Sequence, residues 1–488
     1  VFTISPWRGR REHENETTMH DLRTTRARAS IARTARRLLA LTLLLTLSRP
    51  AAGAIHVGEG QAYPTLYAAS RAHAVHPGDT VLLHGGIYRD TQGPIDSLIG
   101  RPDAWITIRP FGTDSVSIHT QYTFQHAQYL RIEDLHWAGN DPAVAASVFH
   151  LLYFDYAYDC FGSIHDLVIR GCSFTDLDNT GKGSTGACLK LTGTERFVVE
   201  QCRFERGTNI TDGISLNADR HGLIQDCLFA SMPGDGSHCK GGTLDITYTR
   251  NTFIDCVAGG LDVGGDTGPA FFCPLAATWE ADSIHVIANL FFGGTTGIKL
   301  SSCHNSEILQ NTCYKSTQFA FRSLNASSNA IYLKNNLIEN NIFTTNGPYG
   351  IYLNASSGYD FSTETFRNNL FHDYAHPDPA ALNWSELPGV VVSGSIIADP
   401  RFTDTAQRDL TLRAGSPAIH AGLARHRALL DIAHHPYDTV APTIGAHEYG
   451  TLLQVTERPQ STPLLLAPVP ASDHVTISLP TTLTQSQS

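Results

Sequence analysis

Residues 236–268 read GSHCKGGTLDITYTRNTFIDCVAGGLDVGGDTG, and the same local pattern occurs twice within them. Two of its Gly-Gly pairs, 241–242 and 264–265, each follow a strand-like segment with one charged residue, Lys240 in the first and Asp262 in the second. Between them, LDITYTRNTF (244–253) alternates apolar and polar residues, which is typical of a strand with one buried face. The stretch therefore predicts short strands separated by tight glycine turns, repeated after 22 residues.

This unit recurs through the middle of the chain. Its marker is a Cys or Asn followed two residues later by Phe, or by Cys in one copy, and successive copies are 22 to 38 residues apart. The markers begin at Cys172, Cys202, Cys227, Asn251, Asn289, Asn311, Asn341 and Asn369. A minimum coil of this size predicts an all-β parallel β-helix of about ten coils, whose stacked coils bury ladders of like residues. The missing leucine pattern and missing helical periodicity argue against leucine-rich repeats.

A second strand follows each marker at a nearly constant offset. Its alternation predicts an outward-facing row made of Lys190, Ser215, Lys240, Asp262, Lys299, Arg322 and Tyr352. Because neighbouring strands lie about 4.8 Å apart, we expect Lys240 and Asp262 on adjacent rungs. A parallel row of small residues, Thr192, Asn217, Gly242, Gly264 and Ser301, would leave a groove beside the charges. Such a groove suits a glycan chain.

The amino-terminal region predicts export. From Met19 a basic segment leads into the apolar run LLALTLLLTL and the small residues Ala52-Gly53-Ala54, the pattern of a secretory signal peptide, so 1–54 are upstream residues plus signal peptide. The run is too short to span a membrane, and no later segment has about 20 continuous apolar residues. Without 1–54 the chain has 25 basic and 42 acidic residues, which argues against a nucleic-acid partner. An acidic glycan would need a local basic patch or bound cations.

The ten cysteines divide into two groups. Cys172, Cys202 and Cys227 share one position of the repeat, which predicts stacked, buried thiols. The others include Cys160, Cys188, Cys273 and Cys303. Disulfides are common in exported proteins, and the sequence leaves open whether these cysteines form them.

Both ends of the repeat region resemble a known family. The stretch IHVGEGQAYPTLYAASRAHAVHPGDTVLLHGGIYRD (55–90) resembles the capping segment of secreted right-handed β-helix proteins of the chondroitinase B, alginate lyase and pectate lyase-like superfamily. DLTLRAGSPAIHAG (409–422) and PTIGAHEYG (442–450) are similar to the closing segment. The resemblance implies a right-handed, single-stranded solenoid over residues 55–450, capped by a short helix near Leu66–Ala74.

The carboxyl end resembles a second family. After a linker at 451–466, APVPASDHVTISLP (467–480) is similar to the start of the type IX secretion sorting domain of Bacteroidetes. The resemblance implies a partial sorting tail at 467–488 and export by the type IX machinery of a Gram-negative cell. We expect an extracellular or cell-surface monomer.

The lyase resemblance also implies a reaction. In polyuronate lyases of this fold, a base removes the proton α to the carboxyl group, and the leaving oxygen departs by β-elimination. The implied roles are Lys240 as base, Lys299 or Arg322 as neutraliser of the carboxylate, and His238 as a second acid or base. Ca²⁺ would bind Asp235, Asp262 and Asp266. Candidate substrate-binding residues are Lys190, Asn217, Trp279 and Tyr352, with the insertion 269–283 as a wall beside the row.

Two other functions stay open beside a lyase for acidic glycans. NITDGISL (209–216) resembles the NTDG strand of polygalacturonases, which would make Asp212 a catalytic carboxylate, but the paired Asp of the next coil and the GHG motif are missing. Asp212 is then expected to support a turn. A non-catalytic glycan-binding β-helix would instead use Tyr349, Tyr352 and Trp279 for stacking. An ion pair between Lys240 and Asp262 would disable the lysine as a base.

Overall fold

The computed structural model describes residues 53–90, 93–155, 160–182, 185–324, 332–347, 349–353, 361–376, 391–425 and 429–450. The predicted signal peptide up to Ala52, the linker and the sorting tail lie outside these residues and stay predictions. Within the described residues, no helix has the length and apolar character needed to cross a membrane.

The chain is a right-handed parallel β-helix, and the expectation from the repeat is confirmed. Its described residues form three parallel sheets, and the strands of each sheet are counted over those residues. Sheet 1 has 14 strands: Ala54–Val57, Thr80–Leu83, Ile106–Pro110, Gln128–Glu133, His165–Arg170, Glu195–Glu200, Arg220–Gln225, Thr243–Thr249, Ala281–Ile287, Cys303–His304, Glu307–Leu309, Leu337–Glu339, Thr365–Arg367 and Val391–Ser393. Sheet 2 has ten: Ile95–Asp96, Tyr122–Gln125, His150–Phe154, Gly186–Thr192, Thr211–Asn217, Asp235–Lys240, Gly259–Gly264, Thr296–Ser301, Phe319–Leu324 and Tyr349–Leu353.

Sheet 3 completes each coil. Its 12 strands are Gly86–Tyr88, Val116–Ile118, His136–Ala138, Ser173–Leu177, Arg203–Gly207, Leu228–Ala230, Thr252–Ile254, Leu290–Phe292, Thr312–Ser316, Ile342–Thr345, Leu370–Asp373 and Ile396–Ile397. An antiparallel pair, Phe402–Asp404 and Asp409–Leu412, follows the last coil. Short 3-10 helices span Ala145–Ser147, Pro269–Phe271, Phe361–Thr363 and Thr405–Gln407.

The repeat markers form the ladders inside the solenoid. The marker phenylalanines from Phe174 to Phe291 stack face to face in sequence, with ring centroids 4.6–5.0 Å apart. The marker asparagines are buried, and each accepts a main-chain N–H from the coil before it. The side-chain amide of each one before Asn369 also donates to the next asparagine, as for Asn289 and Asn311 at 3.0 Å. One coil therefore fixes the position of the next, because each polar ladder group finds its hydrogen bond in its neighbour.

The cysteines separate as the repeat predicts. Cys172, Cys202 and Cys227 are buried free thiols. Of the four positions left open, Cys160 and Cys273 form a disulfide, whereas Cys188 and Cys303 are free and buried.

The predicted capping helix is shorter than expected. Helix α1 spans Leu66–Arg71, and the Thr65 side chain accepts a hydrogen bond from the N–H of Ala68 at 3.0 Å. His73 adopts a positive φ of 50° just beyond it, which ends the helix before Ala74.

Candidate active site

Charged side chains line up on the outer face of sheet 2. We call the residues in register on successive strands the central row: Lys190, Ser215, His238, Asp262, Lys299 and Arg322. Tyr352 lies in register with Arg322. Two residues further along the strands lies a second row, in which Lys240 is in register with Asn217. The predicted outward-facing row is therefore present on sheet 2, with His238 at the position predicted for Lys240.

The predicted place of Lys240 is wrong. His238 pairs with Asp262, and the coil between them is 24 residues long, so Lys240 lies in the second row instead of beside Asp262. Gly242 is not in the second row either. The reason is the turn: Gly241 and Gly242 adopt positive φ angles of 69° and 93° directly after Lys240, whereas Asp262 has one further strand residue before Gly264. The two glycine pairs are not equivalent positions.

Lys299 holds the acidic part of the row together. Its Nζ lies 2.7 Å from Oδ2 of Asp262 and 3.7 Å from Oδ2 of Asp235. Burial opposes the charge of Lys299, but the two carboxylates outweigh burial and raise its pKa above the usual value. Lys299 is therefore a fixed cation and cannot serve as a base near neutral pH.

Lys240 has no such partner. Among the described residues, its ammonium group makes no hydrogen bond or ion pair, and Asp262 pairs with Lys299 instead. Its side chain runs along Gly265, where an added Cβ would come within 2.8 Å of Cδ of Lys240. The charge of Lys240 acts on Asp235, His238 and Lys190. Lys240 therefore influences both the acidic group around Asp235 and the cluster around His238 and Lys190.

A second polar cluster lies on the strands that precede Asp262 in the central row. Oγ of Ser215 contacts Nε2 of His238 at 2.8 Å and accepts a hydrogen bond from Nζ of Lys190 at 2.6 Å. Nδ1 of His238 lies 3.1 Å from Oδ2 of Asp212. Burial lowers the pKa of His238; Asp212 opposes this, and Lys240 and Lys190 add to it. The imidazole is neutral near pH 7 and can accept a proton.

Asp212 and Asp235 are joined across one coil. The N–H of Asp235 donates to Oδ1 of Asp212 at 2.8 Å. This approach requires Gly234, where a Cβ would lie 2.2 Å from that oxygen. Burial raises the pKa of Asp235 to about 8; Lys299 opposes the shift, and Asp262 and Asp212 contribute to it. Burial thus favours the protonated form of Asp235 more than that of an ordinary aspartate.

Ca²⁺ does not fit the donors that converge here. The described acidic and imidazole groups that could share an ion are Asp212, Asp235 and His238, with ligand atoms within 4.8 Å of one another. The predicted set of Asp235, Asp262 and Asp266 does not converge in the described chain, and Asp266 is exposed beyond the strand end. Ca²⁺ prefers six to eight oxygen ligands. Here the third donor is an imidazole engaged by Ser215 and Asp212, and the cation of Lys299 already lies 3.7 Å from Asp235.

The insertion 269–283, predicted to form a wall beside the charged row, contacts the second row. Phe271 O accepts a hydrogen bond from Nδ2 of Asn217 at 3.3 Å, and Cys273 N donates to Gly241 O at 3.0 Å. The buried Glu280 carboxylate accepts the N–H of Gly241 at 2.9 Å. These contacts fix residues 269–280 beside the second row. The exposed ring of Phe271 adjoins Asn217, whereas Trp279 is half-buried and its indole N–H has no acceptor among the described residues.

Arg322 ends the central row with an unused donor. Its guanidinium lies 4.9 Å from the ring centre of Phe319, and its buried Nε–H has no acceptor in the described part of the chain. A buried charged donor without an acceptor is costly unless a ligand supplies one. It therefore marks a place for an anionic group.

Sequence reasoning missed the roles of Asp212, Ser215 and Glu280. Asp212 does more than support a turn, since it contacts His238 and Asp235. The NITDG stretch and Gly234 were the only local indications of this, because the contacts join residues 23 to 26 positions apart.

Comparisons with known proteins describe the fold. Residues 277–395 match the family model for the right handed beta helix region. The comparison with curated proteins found no match. A pectate lyase structure is 15% identical, covering 81% of this chain and 96% of its own, with a TM-score of 0.49. The A-module of a mannuronan C-5 epimerase from Azotobacter vinelandii is 16% identical, covering 68% of this chain and 93% of its own, with a TM-score of 0.44. A PL6 family polysaccharide lyase from Pseudopedobacter saltans is 13% identical, covering 74% of this chain and 96% of its own, with a TM-score of 0.43. At such identities these likenesses carry no information on substrate or reaction.

Proposed function

We propose that the protein is a polysaccharide lyase that cleaves acidic glycans by β-elimination in the groove of sheet 2. The observation that carries the proposal is the pair of neighbouring cations Lys299 and Arg322, of which Arg322 has a buried N–H without an acceptor among the described residues. A uronate carboxylate would supply that acceptor and form charge-assisted hydrogen bonds. Both cations would then stabilise the negative charge that develops on the carboxylate during elimination.

Lys240 is the base in this proposal. A base must lose its proton, and a carboxylate partner would keep the proton on the amine. Lys190 donates to Ser215 and Lys299 pairs with Asp262, whereas Lys240 has neither kind of partner in the described chain. Lys240 takes the proton α to the carboxyl group, the C–O bond to the leaving sugar breaks, and a C=C bond forms. Asp235, whose pKa burial raises, supplies the proton to the leaving oxygen.

The geometry supports a lyase better than an inverting hydrolase. Asp212 and Asp235 bring carboxylate oxygens within 4.8 Å of each other. Inverting hydrolysis needs about 6.5–9.5 Å between the two groups to admit a water molecule. Export by a signal peptide and the type IX machinery, action outside the cell and a monomeric state are further parts of the proposal, supported by sequence alone.

The test is incubation with alginate, pectate, chondroitin and a heparin-like glycan. Elimination creates an unsaturated uronate that absorbs in the ultraviolet. Arg322→Gln and Lys240→Met should each lower kcat/KM at least about 100-fold, while Arg203→Gln and Lys315→Met, which alter sheet 3, should leave it unchanged. New reducing ends without the ultraviolet band would establish a hydrolase, and retention of a glycan without any product would establish a binding protein.

A further inference from the structure

Ser215, His238 and Asp212 form a chain of contacts with the chemistry of a nucleophile, a base and an orienting acid. The Ser215 hydroxyl meets Nε2 of His238 at 2.8 Å, and Nδ1 on the other side of the ring lies 3.1 Å from Asp212. The second contact has ion-pair length without hydrogen-bond alignment. Such contacts commonly tighten when substrate binds. The Asp212 carboxylate favours the proton on Nδ1, which leaves Nε2 free to accept the serine proton.

Lys190 adds a feature that a structural serine does not require. Its ammonium group donates to Oγ of Ser215 at 2.6 Å, so a cation touches the atom on which negative charge would form. Lys240, in the second row on the rung of His238, adds positive charge on the same side. Stacking of the coils depends on the inward ladders and does not need this outward cluster.

We propose that Ser215, His238 and Asp212 form a nucleophilic relay that hydrolyses small ester-linked acyl groups, such as acetyl groups, on a glycan bound in the groove. The identity of the glycan rests on the function proposed above, whereas the ester chemistry does not. Ser215 is 3% exposed, so only a slender group that projects from the sugar can reach it. The lysines on both sides favour an acylated acidic chain.

The reaction balances with water as the only co-reactant. Oγ of Ser215 attacks the acyl carbon while its proton passes to Nε2 of His238. The bond to the sugar oxygen breaks, and that oxygen takes the proton from His238, which leaves an acyl-serine. Water then attacks the acyl carbon with His238 as base, and proton return to Ser215 releases the carboxylic acid. Lys190 stabilises the oxyanion in both steps.

A second cluster in the same chain supplies a matched control. Ser117, His119 and Asp141 have both contacts at 2.8 Å, but Ser117 lies on sheet 3, and His119 and Asp141 follow strands of that sheet, outside the groove of sheet 2. In the described part of the chain, no cation contacts Oγ of Ser117. If a cation and the groove determine reactivity, only Ser215 should react.

The experiment uses 4-nitrophenyl acetate, which contains no uronate, so its outcome is independent of the lyase proposal. Ser215→Ala and His238→Ala should lower the rate of hydrolysis by roughly 100-fold or more, and Ser117→Ala should leave it unchanged. Treatment of the wild-type protein with a fluorophosphonate, followed by peptide mass spectrometry, should place a single adduct on Ser215. Unchanged hydrolysis in Ser215→Ala, an adduct on Ser117 alone or no adduct would overturn the proposal.

Discussion

Nζ of Lys299 lies 2.7 Å from Oδ2 of Asp262 on the preceding coil, and both side chains are largely buried. This pair engages the carboxylate of Asp262 and keeps Lys299 charged. Two lysines in the same groove therefore have different surroundings, since Lys299 has a carboxylate partner and Lys240 has none among the described residues.

Replacing Asp262 should destabilise the protein. In Asp262→Asn the ammonium group of Lys299 stays buried and keeps only Asp235, 3.7 Å away. Removing one partner of a buried ion pair lowers the free energy of unfolding by about 3 kcal/mol or more. We expect a lower urea midpoint with an unchanged dependence on urea concentration.

The control for Asp262→Asn is an exposed pair. Arg203 and Glu205 are 2.9 Å apart with the arginine 55% exposed, so Glu205→Gln should change the free energy of unfolding by less than about 1 kcal/mol. Equal effects of both substitutions would show that burial does not determine the strength of the Lys299 pair.

The fold was predictable because its determinants are local and periodic. The markers from Cys172 to Asn369 occupy one position of the coil, and burying them as a ladder leaves few other architectures. Strand alternation likewise predicted that Lys190, Lys299 and Arg322 face outward on one sheet.

The register and the contacts within the site were not predictable in the same way. Lys240 was misplaced by two residues because the backbone at Gly241 and Gly242 turns immediately, and one sequence does not reveal which glycine pair does so. The contact between Asp212 and His238 joins two neighbouring coils. Asp212 lies at the start of its strand, where the alternation of inward and outward residues does not predict the direction of its side chain. Ser215 carried no sequence pattern of its own.

Removal of calcium should have no effect. The described donors are an engaged imidazole and two acids, one of which lies beside Lys299, so we expect neither a rise in Tm with excess Ca²⁺ nor a loss of any glycan cleavage with chelator. Thermal unfolding with and without Ca²⁺ tests this independently of activity. A rise in Tm that disappears in Asp235→Asn would contradict this prediction and place an ion at Asp212 and Asp235.

Cysteine accessibility should follow the ladder. Eight thiols are free and buried, and Cys160 is bonded to Cys273. Iodoacetamide should add to none of the eight in the native protein, to eight after denaturation and to ten after reduction as well, as counted by intact mass. Rapid native labelling at Cys172, Cys202 or Cys227 would contradict their stacked position inside the solenoid.

The asparagine ladder should be essential for stability. Asn311 donates to Val286 O at 2.8 Å and to Oδ1 of Asn341 at 2.9 Å, and its own Oδ1 accepts from Asn289. Asn311→Ala leaves several buried partners without a hydrogen bond, each costing about 1–3 kcal/mol, so we expect a loss of about 3 kcal/mol or more. Asn140→Ala, at an exposed asparagine outside the ladder, should cost less than about 0.5 kcal/mol. Urea unfolding compares the two, and a similar cost for both would show that the ladder adds nothing.

Glu364 should make stability fall as pH rises. It is 3% exposed, and burial raises its pKa from 4.5 to about 7, although hydrogen bonds from Asn336 oppose the shift. Between these two values the folded protein binds one more proton than the unfolded chain, so the stabilisation is complete below the lower value and is lost as pH rises through the higher one. The loss is at most about 3 kcal/mol. Because other groups titrate in the same range, the measured quantity is the difference in urea midpoint between wild type and Glu364→Gln at about pH 5 and about pH 8. Wild type should lose stability relative to the variant at the higher pH, and parallel behaviour of the two proteins would show that Glu364 ionises normally in the fold.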